Sequence, residues 1–146
     1  MQEKKNLTPT RLLLEAPDLG LSVTMVTRPD INPEICEAIM STLPLKSLFG
    51  HVVVAGDGFW LPTRLVYLGA SNMIKRSIGS VYYNAAGQSL CLTYGTITES
   101  AVVNEFARIE EDSLEDLTKL GRAVWRHTVE SPVRKSVLGI LSKVKG

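Results

Sequence analysis

The chain has 146 residues, 45% of them apolar and 21% charged, with a formal net charge of +1. Those proportions suit a single soluble globular domain and exclude wholesale disorder. The balanced charge gives no global pull toward nucleic acid or an acidic membrane surface, and no apolar run approaches the ~20 residues of a membrane-spanning helix.

Charge is nonetheless uneven along the chain. Seven acidic residues and one base lie between Glu99 and Asp116, whereas seven Lys or Arg occur from Lys119 onward, opposed by Glu130 alone. These segments read as solvated faces that attract each other within a chain or between subunits, so a homo-oligomer is one expectation. Cys36 and Cys91 sit in apolar surroundings without CxxC spacing, which predicts buried free thiols and a cytoplasmic location.

Residues 1–18 carry Pro9 and Pro17 around the short patch Leu12–Leu14 and read as an N-terminal arm that docks its leucines on a neighbour. The domain proper then spans 19–146. Alternation from Leu21 to Arg28 predicts a strand. Asn32-Pro33-Glu34 is a helix start, with Asn as N-cap and Pro at the first position, and Ile35, Ala38, Ile39 and Leu43 recur at helical spacing up to Pro44.

Strands dominate the chain beyond Pro44. Ser47–Ala55 is extended, Gly56-Asp57-Gly58 turns the chain, and Phe59–Leu68 continues as a strand whose Pro62 marks an edge or bulge. Ile78–Tyr83 and Leu90–Tyr94 form a hairpin around 84–88. Ala101–Ile109 is a further strand. Ser113 opens a second helix, with Asp116 completing a capping-box variant and Leu114, Leu117, Leu120, Val124 and Trp125 forming its apolar stripe. Pro132 stops it, and Val133–Leu138 returns as a last strand. Many short strands with two lone helices predict a mainly β fold, a closed barrel with helices capping its ends.

Two stretches carry a family resemblance. Phe106-Ala107-Arg108-Ile109-Glu110-Glu111-Asp112-Ser113-Leu114, leading into a helix, resembles the strand-then-helix segment of cyclophilins, and Gly87-Gln88-Ser89-Leu90-Cys91-Leu92 resembles a cyclophilin core strand. A closer resemblance, over about Leu21 to Leu138, is to small bacterial cyclophilin-like proteins. Its marks are His51, Gly56-Asp57, Phe59-Trp60-Leu61-Pro62, Gly79-Ser80-Val81-Tyr82-Tyr83, Val103-Asn104-Glu105-Phe106-Ala107-Arg108-Ile109 and Leu120-Gly121-Arg122. The resemblance implies a cyclophilin-like barrel. It also implies kinship with cucumopine-synthase-type proteins, which join an amino acid to a keto acid in a Pictet-Spengler type condensation. The isomerase arginine of true cyclophilins falls at Val52 or Val54 and the site histidine at Val103, so peptidyl-prolyl isomerase activity ranks last. Val53 and Val54 also replace an Arg-Trp pair of the closer family.

Chemistry-bearing residues are few. His51 is a candidate acid–base residue, the alternative being a histidine satisfied at a strand end by a backbone carbonyl. His127 reads as a helix C-terminal cap. Two histidines without matching Cys or carboxylate spacing predict no metal site, and no cofactor motif is present.

At a barrel mouth His51, Trp60, Arg64, Tyr82, Tyr94 and Glu105 are candidates to converge, with Asn104 and Arg108 on the opposite strand face from Glu105. His51 or Glu105 would be the base. Arg64 and Arg108 would clamp carboxylates, unless Arg108 pairs with Glu110 or Asp112 instead. Trp60 is either a pocket wall or an edge-strand cover. The leading expectation is therefore binding of a small carboxylate-bearing metabolite. A non-catalytic binding or assembly module is the alternative.

Overall fold

The computed structural model describes residues 8–54, 56–69, 71–98 and 101–145. Ten strands form one antiparallel system: β1 (Arg11–Ala16), β2 (Leu21–Thr27), β3 (Leu45–Leu48), β4 (Gly50–His51), β5 (Gly56–Pro62), β6 (Ile74–Lys75), β7 (Ser80–Asn84), β8 (Ser89–Ile97), β9 (Val102–Ile109) and β10 (Leu138–Lys143). Their order is β3-β10-β1-β2-β9-β7-β8-β5-β4, with β6 added to β9.

The two ends of this order are consecutive in the chain, separated by Phe49 alone. One bent strand therefore bonds to β10 through its first half and to β5 through its second. That shared strand nearly closes the barrel, which reduces the exposed ladder groups that an open sheet presents.

The core is the expected product of alternation. Leu12, Leu14 and Ala16 of β1, Val23 and Met25 of β2, and Leu141 of β10 all turn inward and are buried. Residues 11–16 are thus a central strand between β2 and β10, which corrects the expectation of an arm over 1–18. The three consecutive leucines hide the period: Leu12 and Leu14 face the core while Leu13 is half-buried. The last strand is displaced in the same way. It begins at Leu138, where Gly139 and Leu141 continue the inward row begun by Val137, and Val133 lies outside it, well exposed.

Two helices cover the barrel. The first, α1 (Pro33–Met40), lies on β9 and buries Ile35, Cys36 and Ile39. The second, α2 (Leu114–Trp125), spans β2, β4, β5 and β8 and ends in a π-helical turn, Arg126–Glu130. Both expected N-caps are spent on tertiary bonds. The Asn32 side chain donates to the carbonyls of Glu105 and Asn72 and accepts from the Asn72 N–H. Ser113 Oγ accepts from the Thr24 N–H at 3.1 Å. Strand β5 stops at Pro62 rather than running to Leu68, because proline has no N–H for the ladder. Both cysteines are free and buried.

Candidate functional site

His51 owes its place to the bend that closes the barrel. Beyond Phe49 the chain pairs Gly50 with Trp60 and His51 with Phe59. The Trp60 ring lies flat over Gly50, where a Cβ would overlap it, so only glycine admits the indole there. His51 is 7% exposed and has both ring nitrogens engaged. Nδ1 lies 2.6 Å from the Val52 carbonyl, which can only accept, so Nδ1 carries the proton. Nε2 is then an acceptor, and the Tyr94 hydroxyl donates to it at 2.6 Å. The imidazole also meets the Trp125 ring edge to face, at 4.9 Å between centroids.

Burial dominates the electrostatics of this pair. It holds the His51 imidazole below its ordinary titration range, opposed by the Val52 carbonyl and the charge of Asp57. It pushes the Tyr94 phenol up, with Asp57 adding to the rise and Arg122 opposing it. The resting state is therefore a neutral imidazole accepting from a neutral phenol.

Two cavities meet at His51. One, about 170 Å³, is lined by His51, Asp57, Tyr94, Arg122 and Trp125. The other, about 430 Å³, is walled by Trp60, Val53, Val129 and Arg134 and is also lined by His51. Asp57 accepts a hydrogen bond from the Thr96 N–H at 3.0 Å, and Arg122 makes no ion pair with the described residues. Helix α2 delivers Arg122 and Trp125 because Gly121 sits directly on the Tyr94 ring, where any Cβ would overlap it. The Trp125 indole N–H is held by Glu130 across the π-turn, a helix irregularity that recurs beside functional sites.

The expected set does not converge as a whole. His51 and Tyr94 touch, and Trp60 lines the adjoining cavity. Glu105 lies elsewhere and is fully buried, one oxygen accepting from Arg28 at 2.8 Å and the other from Arg108 at 3.1 Å. With both oxygens held, it anchors an ion network, which corrects its expected role as a base at the mouth.

Arg108 pairs with Glu105 instead of Glu110 or Asp112, and it also donates to the Ile78 carbonyl and Ser77 Oγ. The assignment of Glu105 and Arg108 to opposite faces fails at a bulge. Val81 opposes Ala107 while Tyr82 opposes Glu105, so Phe106 is the extra residue and the alternation resets.

Tyr82 accepts from Arg76 beside a small void of about 20 Å³, separate from Tyr94. The Asn104 side-chain oxygen is buried without a hydrogen-bond partner among the described residues. Arg64 is exposed on a different groove. Asp57, Arg122, Arg134 and Trp125 also line these cavities; Asp57 and Arg122 fall in the resemblance motifs without being singled out for the site, and Arg134 and Trp125 carry no site signal in the sequence. Asp57 resembles an ordinary turn residue and Trp125 a core member of the helix stripe.

The nearly closed barrel, nine strands in its path with β6 beside β9 and two helices over it, has the cyclophilin-like fold. Among solved structures it is similar to McbB in complex with tryptophan, at a TM-score of 0.84 and 23% identity, covering 92% of this chain. The chain spans 45% of the McbB chain it matches. It is also similar to the hypothetical protein AF2241 from Archaeoglobus fulgidus, whose solution structure matches at a TM-score of 0.67 and 20% identity, covering 97% of this chain and 100% of that one. No protein-family model and no curated protein sequence matches the chain. At these identities the likeness speaks for the fold, in agreement with the resemblance read from the motifs.

Proposed function

We propose that the chain binds a small, carboxylate-bearing, amino-acid-like metabolite at His51, and that the His51–Tyr94 pair accepts a proton during its condensation with a keto acid. The observation that carries this reading is the neutral imidazole–phenol pair lining one cavity, its imidazole lining a second as well, with the Arg122 guanidinium in the first making no ion pair with the described residues. The tryptophan bound to the structurally similar McbB supports an amino-acid ligand.

In such a condensation the amine adds to the keto carbon, water leaves, and an aromatic carbon closes the ring on the resulting iminium. A base must then take the proton from that carbon. The Tyr94 oxygen can accept it while passing its own proton to His51 Nε2, and the imidazolium so formed keeps its Nδ1–H bond to the Val52 carbonyl. Arg122 and Arg134 are the candidates to hold carboxylates, one in each cavity.

The test is a thermal-shift titration with tryptophan and histidine, then incubation with 2-oxoglutarate and mass spectrometry. Ligand at 100 Kd stabilises by roughly 2.7 kcal/mol, which raises Tm by about 5–10 °C in a domain of this size. A product at the summed mass less one water, absent with Tyr94→Phe, is expected. A ligand shift without product identifies a non-catalytic binder, and neither shift nor product rejects the reading.

A further inference from the structure

The barrel closes along only part of its seam, and the pairing register explains why. Gly50 opposes Trp60 and His51 opposes Phe59. The Val52 N–H continues the ladder to the Gly58 carbonyl at 2.9 Å. Carried the other way, the same register sets Leu48 against Pro62 and Lys46 against Arg64. Pro62 has no N–H to give, and the Thr63 N–H is already spent on the Gln88 carbonyl at 2.8 Å. The next pair would place two cations face to face, which is unfavourable across a ladder. The zipper therefore stops at Gly50, and β3 is left as the terminal strand of the order, bonded to β10 alone.

What remains is a groove of about 680 Å³ between β3 and residues 62–66. Its polar lining is one-sided. Lys46 and Arg64 are both exposed, and neither forms an ion pair with the described residues. Among the described residues no acidic side chain lines the groove, while the hydroxyls of Thr42, Ser47 and Thr63 do. The Thr63 oxygen accepts from the Leu65 N–H at 3.1 Å, so its own O–H is available to donate. The Phe49 N–H points to β10, where it meets the Val137 carbonyl at 2.9 Å, so by alternation the Lys46 and Leu48 main-chain groups point toward the groove. Two cations, a buried hydroxyl and outward N–H groups face one space to which the described residues bring no counter-charge.

We propose that this open seam is a second binding site, separate from His51, that takes a small oxyanion between Lys46 and Arg64. The shared chemistry is a carboxylate or a phosphate. Arg64 supplies a forked donor, Lys46 a point charge, and Thr63 a neutral donor at the floor. An anion there replaces the repulsion that holds the seam apart with two attractions. The inference does not rest on the condensation reading above.

The test is a titration of the full chain with inorganic phosphate and, separately, with succinate, at constant ionic strength made up with chloride. Amide NMR shifts report the location. The expected result is saturable movement confined to residues 42–48 and 62–66 with at least one anion, and the stronger of the two identifies the ligand class. Each of Lys46→Gln and Arg64→Gln should weaken binding at least tenfold, whereas His51→Gln should leave it unchanged. Both cationic positions are exposed, so these variants are expected to keep the fold, and their spectra verify it. Non-saturable drift matched by chloride, or saturable binding undiminished in the Lys46→Gln/Arg64→Gln double variant, would overturn the proposal.

Discussion

Replacing Glu105 by Gln removes one charge and almost no volume, which makes it the cleanest probe of the buried ion network. The carboxylate has no solvent exposure and accepts from two guanidiniums, at 2.8 Å from Arg28 and 3.1 Å from Arg108. The amide keeps one acceptor and turns an NH₂ toward the other arginine, so one buried donor loses its partner. Breaking a buried pair typically costs about 3–5 kcal/mol. The two arginine side chains retain 32% and 38% exposure, so water screens them and the lower end applies, about 3 kcal/mol. A domain of this length converts that into a Tm loss of about 6–12 °C. Urea unfolding monitored by circular dichroism should show a lower midpoint with an unchanged slope. A Glu105→Gln protein that melts within about 2 °C of the parent, well inside that loss, yet loses condensation activity, would refute the anchoring role and restore Glu105 as a candidate base.

Further predictions concern other parts of the molecule. Gly121→Ala forces a methyl into the Tyr94 ring, and overpacking of this kind costs about 1–3 kcal/mol. It should lower Tm and abolish the ligand-induced shift together, and a stable variant with normal ligand response would contradict the packing described. The His51 imidazole is held below its ordinary 6.5 by burial, so the unfolded chain binds more protons as pH falls through the window just below that value. The parent should therefore lose stability on acidification from neutral pH through that window more steeply than His51→Gln; parallel Tm–pH curves would count against a neutral buried His51. Leu14→Ala, at the centre of β1, should cost about 2–5 kcal/mol, whereas a loosely docked arm would tolerate it in denaturant titrations.

How much of this is legible in the sequence depends on whether the governing contacts are local. The alternation of β2, the Pro33 helix start and the 84–88 hairpin connection are local, and each lies within a few residues of its expected place. The succession of short strands is enough to imply the barrel. The first strand is harder to see, because Leu13 interrupts an alternation that shows only once β2 and β10 flank it. The caps mislead for a related reason. Asn32 and Ser113 have the right chemistry, but Glu105 and Thr24, distant in sequence, compete for their side chains and win.

The candidate site is legible in part. His51 stands out by type, and Tyr94 is among the residues expected beside it. No local pattern announces that Gly121 brings Arg122 and Trp125 to the same cavity. The bulge at Phe106 is equally invisible, and one inserted residue is enough to put Glu105 and Arg108 on the same face of the strand.

The strand bent at Phe49 belongs to two ladders at once, so it works as a clasp rather than as a stave. Releasing its first half from β10 leaves the second half fastened to β5, and the reverse also holds. Partial opening can then uncover the Lys46 side of the seam without disturbing the imidazole at the far end of the same strand. Hydrogen exchange should accordingly register two independent steps along a single stretch of chain, with the amides of Ser47 and Phe49, which face β10, and of Gly50 and Val52, which face β5, released by different openings.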